Sequence, residues 1–147
     1  MKKMFFAFAV LMAGSIVSAQ NTNQLVSNYI SVKDALVSSD AQTAAKASAD
    51  LQKNLKKEAS FDQKDALLTA VNALAKEQDL DKQRVAFTDV STTLWKIVKA
   101  SGSLNQEVFY QYCPMKKAYW LSMEKEIKNP YYGSSMLKCG KVVETKN

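Results

Sequence analysis

Apolar side chains recur at helical spacing through the first two thirds of the chain. One face of the first predicted helix carries, at this spacing, Leu25, Tyr29, Val32 and Leu36. Similar stripes predict helices over about residues 23–38, 40–58, 60–77 and 79–99. Because the connections are only a few residues long, consecutive helices should run antiparallel and form an up-and-down four-helix bundle.

Polar residues mark where these helices begin and end. Asp40 and Asp79 precede the second and fourth helices and are expected to cap them with their carboxylates. Ser60 and Gln63 have the spacing of a capping box and should start the third helix. Gly102 follows the fourth helix and is expected to supply a left-handed stop.

The pattern changes after Gly102. Residues 108–112 are aromatic and β-branched over a length typical of a strand, and residues 141–144 resemble a second strand. Neither is followed by a tight hairpin turn, so any pairing between them would be long-range. Residues 118–127 are instead predicted to include a short helix.

The fold predicted from these patterns is all-α. We expect the four-helix bundle over residues 20–102 and an irregular segment with room for short strands over residues 103–147, together one domain. Within that segment, a Pro- and Gly-containing turn at residues 129–133 should precede a helical turn. That turn would place Met136 and Cys139 on one face.

The first 19 residues have the features of a secretory signal peptide. Lys2 and Lys3 precede an apolar run that is too short to span a bilayer comfortably, and Ala19 ends a group of small residues. We expect cleavage after Ala19 and a periplasmic or secreted product. No later stretch is long and apolar enough to predict a membrane span.

Composition excludes most enzyme classes. The 147 residues carry a net charge of +6 and include no histidine, so the usual Ser-His-Asp and Cys-His nucleophile systems cannot be built. The two cysteines are too far apart for a CxxC dithiol. The lysines are spread along all predicted helices, which argues against a nucleic-acid partner. We therefore expect a binding protein and not an enzyme.

Sulfur-containing residues form two short clusters in the last third of the chain. Cys113 and Met115 flank a proline, and Met136 and Cys139 lie three residues apart. Thiolate and thioether ligands select Cu(I) over harder ions, so these four residues are a candidate Cu(I) site if folding brings them together. Three aromatic residues could wall such a site against water, namely Trp120, Tyr131 and Tyr132.

A disulfide is the alternative interpretation of the same cysteines. An exported domain with only two cysteines is economically explained by one bridge between Cys113 and Cys139, which would stabilise the fold by about 3 kcal/mol. The methionines would then fill gaps in the core. In this version the protein is a disulfide-stapled interaction module that binds no metal.

Four motifs follow one another in this part of the chain. They are Tyr112-Cys113-Pro114-Met115, Ala118-Tyr119-Trp120-Leu121-Ser122, Glu126-Ile127-Lys128-Asn129-Pro130-Tyr131-Tyr132-Gly133 and Met136-Leu137-Lys138-Cys139-Gly140-Lys141-Val142. In this order they resemble an uncharacterised domain family of Gram-negative bacteria, a domain of unknown function. That family occurs as small exported proteins and as a C-terminal extension on periplasmic adaptor subunits of heavy-metal, copper-type efflux systems. The resemblance implies heavy-metal handling in the cell envelope, with an efflux adaptor or another envelope protein as partner.

The first of these motifs is also similar to the opening of a short heavy-metal-binding motif of copper transporters and efflux adaptors. In that motif a histidine follows the methionine, whereas this chain has Lys116. The substitution removes one expected ligand. It also places a cation near the Cys113 thiol, where it should lower the thiol pKa.

Overall fold

Four helices precede a three-stranded sheet in the computed structural model, which describes residues 19–102 and 104–147. The helices are α1 (Ala19–Val37), α2 (Ala41–Lys57), α3 (Lys64–Lys76) and α4 (Leu80–Ala100). The strands are β1 (Val108–Cys113), β2 (Ala118–Ser122) and β3 (Lys141–Lys146), and a 3₁₀ turn (Gly133–Met136) precedes β3. Residues 1–18, nearly all of the predicted signal peptide, lie outside the described part of the chain.

The all-α prediction is wrong, because the last third of the chain forms an antiparallel sheet. The strand order is β2-β1-β3, so β1 pairs with both neighbours. The strands predicted at residues 108–112 and 141–144 are present as β1 and β3 and do pair over a long range. The helix predicted over residues 118–127 is instead β2 followed by a loop. Its aromatic residues gain ladder hydrogen bonds and cross-strand contacts from β1.

Two of the predicted helix caps are confirmed. The Asp40 carboxylate accepts the backbone N–H of Thr43 at 2.9 Å, and that of Asp79 accepts the N–H of Lys82 at 3.0 Å. Each bond satisfies an amide that the first turn of a helix leaves without an intrahelical partner. The second and fourth helices therefore begin where the sequence predicts.

The capping box predicted at the third helix is wrong. Gln63 directly precedes α3 in a left-handed conformation, with φ of 67°, and makes no side-chain capping bond. The Nζ of Lys64 donates instead to the carbonyl of Glu58. This contact ties the start of α3 to the end of α2.

One hydrophobic cluster joins the helices to the sheet. The Tyr29 ring of α1 stacks on Phe87 of α4 with centroids 4.8 Å apart, and Tyr131 lies 6.1 Å from both Phe87 and Trp120 of β2. The Tyr29 hydroxyl also accepts the backbone N–H of Leu121 at 3.1 Å. A helical side chain thus supplies the partner for an edge-strand amide, and the sheet is fixed against the bundle.

Arg84 ties the segment before β3 to the helices. Its Nε donates to the carbonyl of Pro130 at 2.9 Å, and its Nη2 donates to the carbonyl of Leu36 at 3.1 Å and to Ser39 Oγ at 3.0 Å. These contacts join α4, the end of α1 and the turn at residues 129–133. The planar guanidinium can hold three acceptors at once because its donors have fixed directions.

Gly133 lies against this junction and should not tolerate a side chain. Its φ is 57°, and an added Cβ would lie 2.6 Å from Ser39 Oγ and 2.9 Å from the carbonyl oxygen of Val37. We expect Gly133→Ala to lower the free energy of unfolding by about 1–3 kcal/mol, measured by urea denaturation. The exposed neighbour Ser134→Ala is the control and should change it by less than about 0.5 kcal/mol. Equal stability of the two variants would contradict the prediction.

Candidate functional site

The fold brings the two cysteines into contact. Cys113 is the last residue of β1 and is fully buried, whereas Cys139 lies in the loop before β3 and is partly exposed. Their Sγ atoms are 3.3 Å apart, although the residues are 26 positions apart in the chain. We call these two residues the thiol pair.

The thiol pair consists of free thiols and not of the disulfide that the sequence offered as the alternative. A separation of 3.3 Å exceeds the S–S bond length of about 2.05 Å and is within reach of a hydrogen bond between the two sulfurs. The disulfide prediction is therefore not met in this structure, in which the two sulfurs are in non-covalent contact. The C-terminal segment is held to the sheet by non-covalent contacts.

The turn between β1 and β2 follows Cys113 directly. Pro114 has no N–H and fixes φ, and the next two backbone amides, those of Met115 and Lys116, act to lower the pKa of Cys113. The Met115 amide also acts to lower the pKa of Cys139. Backbone N–H groups near a sulfur favour its thiolate form.

Asn129 lies beside the thiol pair. Its side chain is buried, and its Nδ2 donates to the carbonyl of Cys139 at 2.6 Å. Its Oδ1 accepts the N–H of Tyr131 at 2.8 Å. The carboxamide also acts to lower the pKa of Cys113. One side chain therefore holds the backbone of Cys139 and influences the thiol of Cys113.

The two thiols have pKa values displaced in opposite directions. Burial acts to raise the pKa of Cys113, but hydrogen bonds to its sulfur outweigh burial and lower this pKa; the donors are the Lys116 amide, the Cys139 thiol, the Asn129 carboxamide and the Met115 amide. The hydrogen bond to Cys113, with burial and the Cys113 charge, raises the pKa of Cys139. The first proton therefore leaves Cys113, and the Cys139 thiol donates to the resulting thiolate.

Lys116 affects Cys113 in a different way from the one that the sequence predicts. The sequence predicts that the ammonium group of Lys116 lowers the pKa of the Cys113 thiol. In the structure the backbone amide of Lys116 lowers the pKa of Cys113, while the ammonium lies 5.0 Å from the centroid of the Tyr132 ring. That contact is a cation–π interaction at the rim of the site.

The three aromatic residues predicted to wall the site lie at this end of the molecule. Trp120 is fully buried, and a Cβ added to Gly140 would lie 2.7 Å from its ring, so Trp120 contacts the chain directly after Cys139. Burial raises the pKa of Tyr131 to about 12, and the charge on Cys113 contributes to that rise. Tyr132 is partly buried beneath Lys116.

Both predicted thioether ligands lie at the surface beside the thiol pair. Met115 is 65% exposed and Met136 is 37% exposed, whereas Cys113 is 0% exposed. The carbonyl of Met136 accepts the N–H of Cys139 at 3.0 Å. The structure thus links these four residues through backbone hydrogen bonds and leaves both thioether side chains in contact with solvent.

Cation ligands of other kinds are not grouped in the described part of the chain. Among residues 19–102 and 104–147, no three histidine, cysteine or carboxylate side chains converge to hold a metal ion. Any ion at this site would therefore depend on sulfur ligands. Asn129 is the residue that sequence reasoning missed, since Asn-Pro predicts only a turn.

A family model covers more than half of the chain. Residues 25–106 match a family described as a protein of unknown function, DUF3347. The chain belongs to the DUF3347 family. The region matched to DUF3347 runs from α1 to the segment before β1, so the thiol pair lies outside it. Comparison with curated proteins and with solved structures gave no match.

Within the described residues of this DUF3347 protein, no helix combines the length and the apolar character that crossing a bilayer requires.

Removing either cysteine should shift the pKa of the other, in opposite directions. In Cys139→Ala, Cys113 loses a hydrogen bond to its thiolate, so its pKa should rise above that of the first thiol deprotonation in the wild type. In Cys113→Ala, Cys139 loses the group that holds its proton, so its pKa should fall below that of the second thiol deprotonation in the wild type. Thiolate absorbance against pH measures both values.

The control for this titration is the variant that lacks both cysteines. Its absorbance change reports tyrosine ionisation alone and is subtracted from the other curves. If the thiol pKa values of both single variants shift in the same direction, or if neither shifts, the two thiols do not share a proton.

Proposed function

We propose that this DUF3347 protein is an exported, non-enzymatic binding protein of the cell envelope that binds Cu(I) through Cys113 and Cys139. The observation that carries the proposal is the contact between the two sulfurs at 3.3 Å. Soft thiolate donors favour Cu(I) over hard divalent ions. Because Cys113 has a lowered pKa, one donor is readily deprotonated, and binding an ion would release the remaining proton.

The spacing of the sulfurs fits a shared metal ion after a small movement. With metal–sulfur bonds of about 2.3 Å, two thiolates on one ion lie roughly 4 Å apart or somewhat more. The thiol pair must therefore open from its separation of 3.3 Å. The Cys139 side chain is able to turn because it is partly exposed, whereas Cys113 is buried at the end of the central strand.

Two observations favour binding over catalysis. The chain contains no histidine that could transfer protons at neutral pH. Cys113, which has the lowered pKa, is fully buried and cannot reach a large substrate as a nucleophile. Retention of a small ion between two sulfurs is compatible with that burial.

Export and an association with heavy-metal efflux are the second part of the proposal. The charged and apolar pattern of residues 1–19 supports export. The four motifs between residues 112 and 142 support a partnership with a periplasmic efflux adaptor or another envelope protein. Because the DUF3347 match ends at residue 106, this association depends on those motifs and not on the family match.

Expression of the full chain in a Gram-negative host should give a periplasmic protein that begins at Gln20. The measurement is the intact mass of protein from an osmotic-shock fraction. A variant with Lys2 and Lys3 replaced by glutamate is the control and should be retained, since the positive residues initiate export. Full-length wild-type protein in the cytoplasm would contradict the export proposal.

Each cysteine should be required for tight Cu(I) binding. We expect Cys113→Ser and Cys139→Ser each to weaken Cu(I) binding by more than about 100-fold, since loss of outer-shell partners alone costs roughly 10- to 100-fold. The measurement is an anaerobic competition titration against a Cu(I) chelator. Met123→Leu, which removes a partly buried thioether outside the two clusters, is the control and should bind as the wild type does. Unchanged affinity in either serine variant would refute the proposed site.

A further inference from the structure

The Cys113 and Cys139 sulfurs are the two soft donors that the fold places in contact. Cys113 is fully buried, and the Cys139 sulfur lies 3.3 Å from its own sulfur. Deprotonated thiols are the ligands that soft ions prefer. An ion bound to Cys113 would therefore lie between the two sulfurs.

The methionine side chains are unsuited to complete a four-sulfur site around that position. Met115 and Met136 are exposed, whereas the ion would lie against the buried Cys113 sulfur. To bind it, both side chains would have to leave solvent and lose rotamer freedom, which opposes binding. Two thiolates alone are sufficient for a soft monovalent ion, so this cost is avoided.

Asn129 holds the backbone of Cys139 in place beside Cys113. Its buried carboxamide donates to the Cys139 carbonyl at 2.6 Å, and the Tyr131 amide donates to its Oδ1 at 2.8 Å and fixes its orientation. The Cys139 side chain is partly exposed and can turn, so the two sulfurs can separate to the distance that a shared ion requires. Zinc prefers four ligands in structural sites, and among the described residues no third histidine, cysteine or carboxylate side chain converges on the pair, so zinc would be disfavoured.

From these contacts we infer that the thiol pair is a two-sulfur site selective for soft monovalent cations, Cu(I) and Ag(I), and that Asn129 is its positioning residue. This inference rests on the proposed function and adds the coordination number, the class of ion and the residue that holds Cys139 in position. Two thiolates with a monovalent ion carry one net negative charge, which the surrounding N–H donors stabilise.

X-ray absorption at the copper edge tests the ligand number. The protein is produced with selenomethionine, loaded with Cu(I) and examined as the full chain, so that a thioether ligand would contribute selenium to the first shell. We expect two sulfur neighbours and no selenium. Selenium in the first shell would overturn the two-sulfur inference and leave Cu(I) binding intact, whereas a protein that retains no Cu(I) would overturn the proposed function itself.

Substitution of Asn129 tests the positioning role. We expect Asn129→Ala to raise the pKa of the first thiol step and to lower the preference for Ag(I) over Zn(II), measured by competition titrations, by at least about tenfold. Asn129→Ser keeps one donor and should give intermediate values. It also serves as the readout if the alanine variant does not fold.

The matched control is Gln111→Ala. Gln111 is an equally buried carboxamide in β1, and it donates to the carbonyls of Glu124 and Lys125. Its loss should lower stability and leave both the thiol pKa and the ion preference unchanged. If Gln111→Ala changes the ion preference as much as the Asn129 variants do, or if those variants match the wild type, Asn129 is not the positioning residue.

Discussion

The hydrogen bonds of the buried Asn129 carboxamide are the constraint on which the C-terminal end of the molecule depends. They connect the turn at residues 129–133 to the loop before β3, and Arg84 connects the adjacent residue, Pro130, to the helices. A buried amide left without partners costs about 1–3 kcal/mol, so the loop around Cys139 cannot drift without losing these bonds. The Cys139 sulfur is held in this loop 3.3 Å from the Cys113 sulfur.

Features that depend on neighbouring residues were predictable from the sequence. The helical stripes and the Asp40 and Asp79 caps involve contacts within a few positions, so their signals are local.

The β1–β2 hairpin was not predicted because its turn carries neither Asn-Gly nor Asp-Gly. Lys117 takes the left-handed conformation there, with φ of 52°. Residues 118–122 form a strand because they pair with β1, and this pairing overrides their local conformational preference.

The candidate site was predictable in its chemistry and not in its geometry. Thiols and thioethers identify soft-ion ligands by residue type alone, and this identified Cys113 and Cys139. Which donors surround them depends on the folded chain. Asn129 bonds a residue 10 positions away, and Lys116 acts through its backbone amide, which every residue but proline possesses. Neither contribution leaves a sequence signal that distinguishes it from a turn residue or a surface cation.

The asymmetry of the thiol pair has a consequence for how an ion would be exchanged. Cys113 is buried beneath hydrogen-bond donors, and Cys139 is partly exposed beside the surface methionines. A ligand from a partner would therefore displace the Cys139 sulfur first, while Cys113 kept its bond to the ion. Because Cys113 is buried and Cys139 is partly exposed, the proposed ion would pass to a partner in steps and would not first dissociate completely.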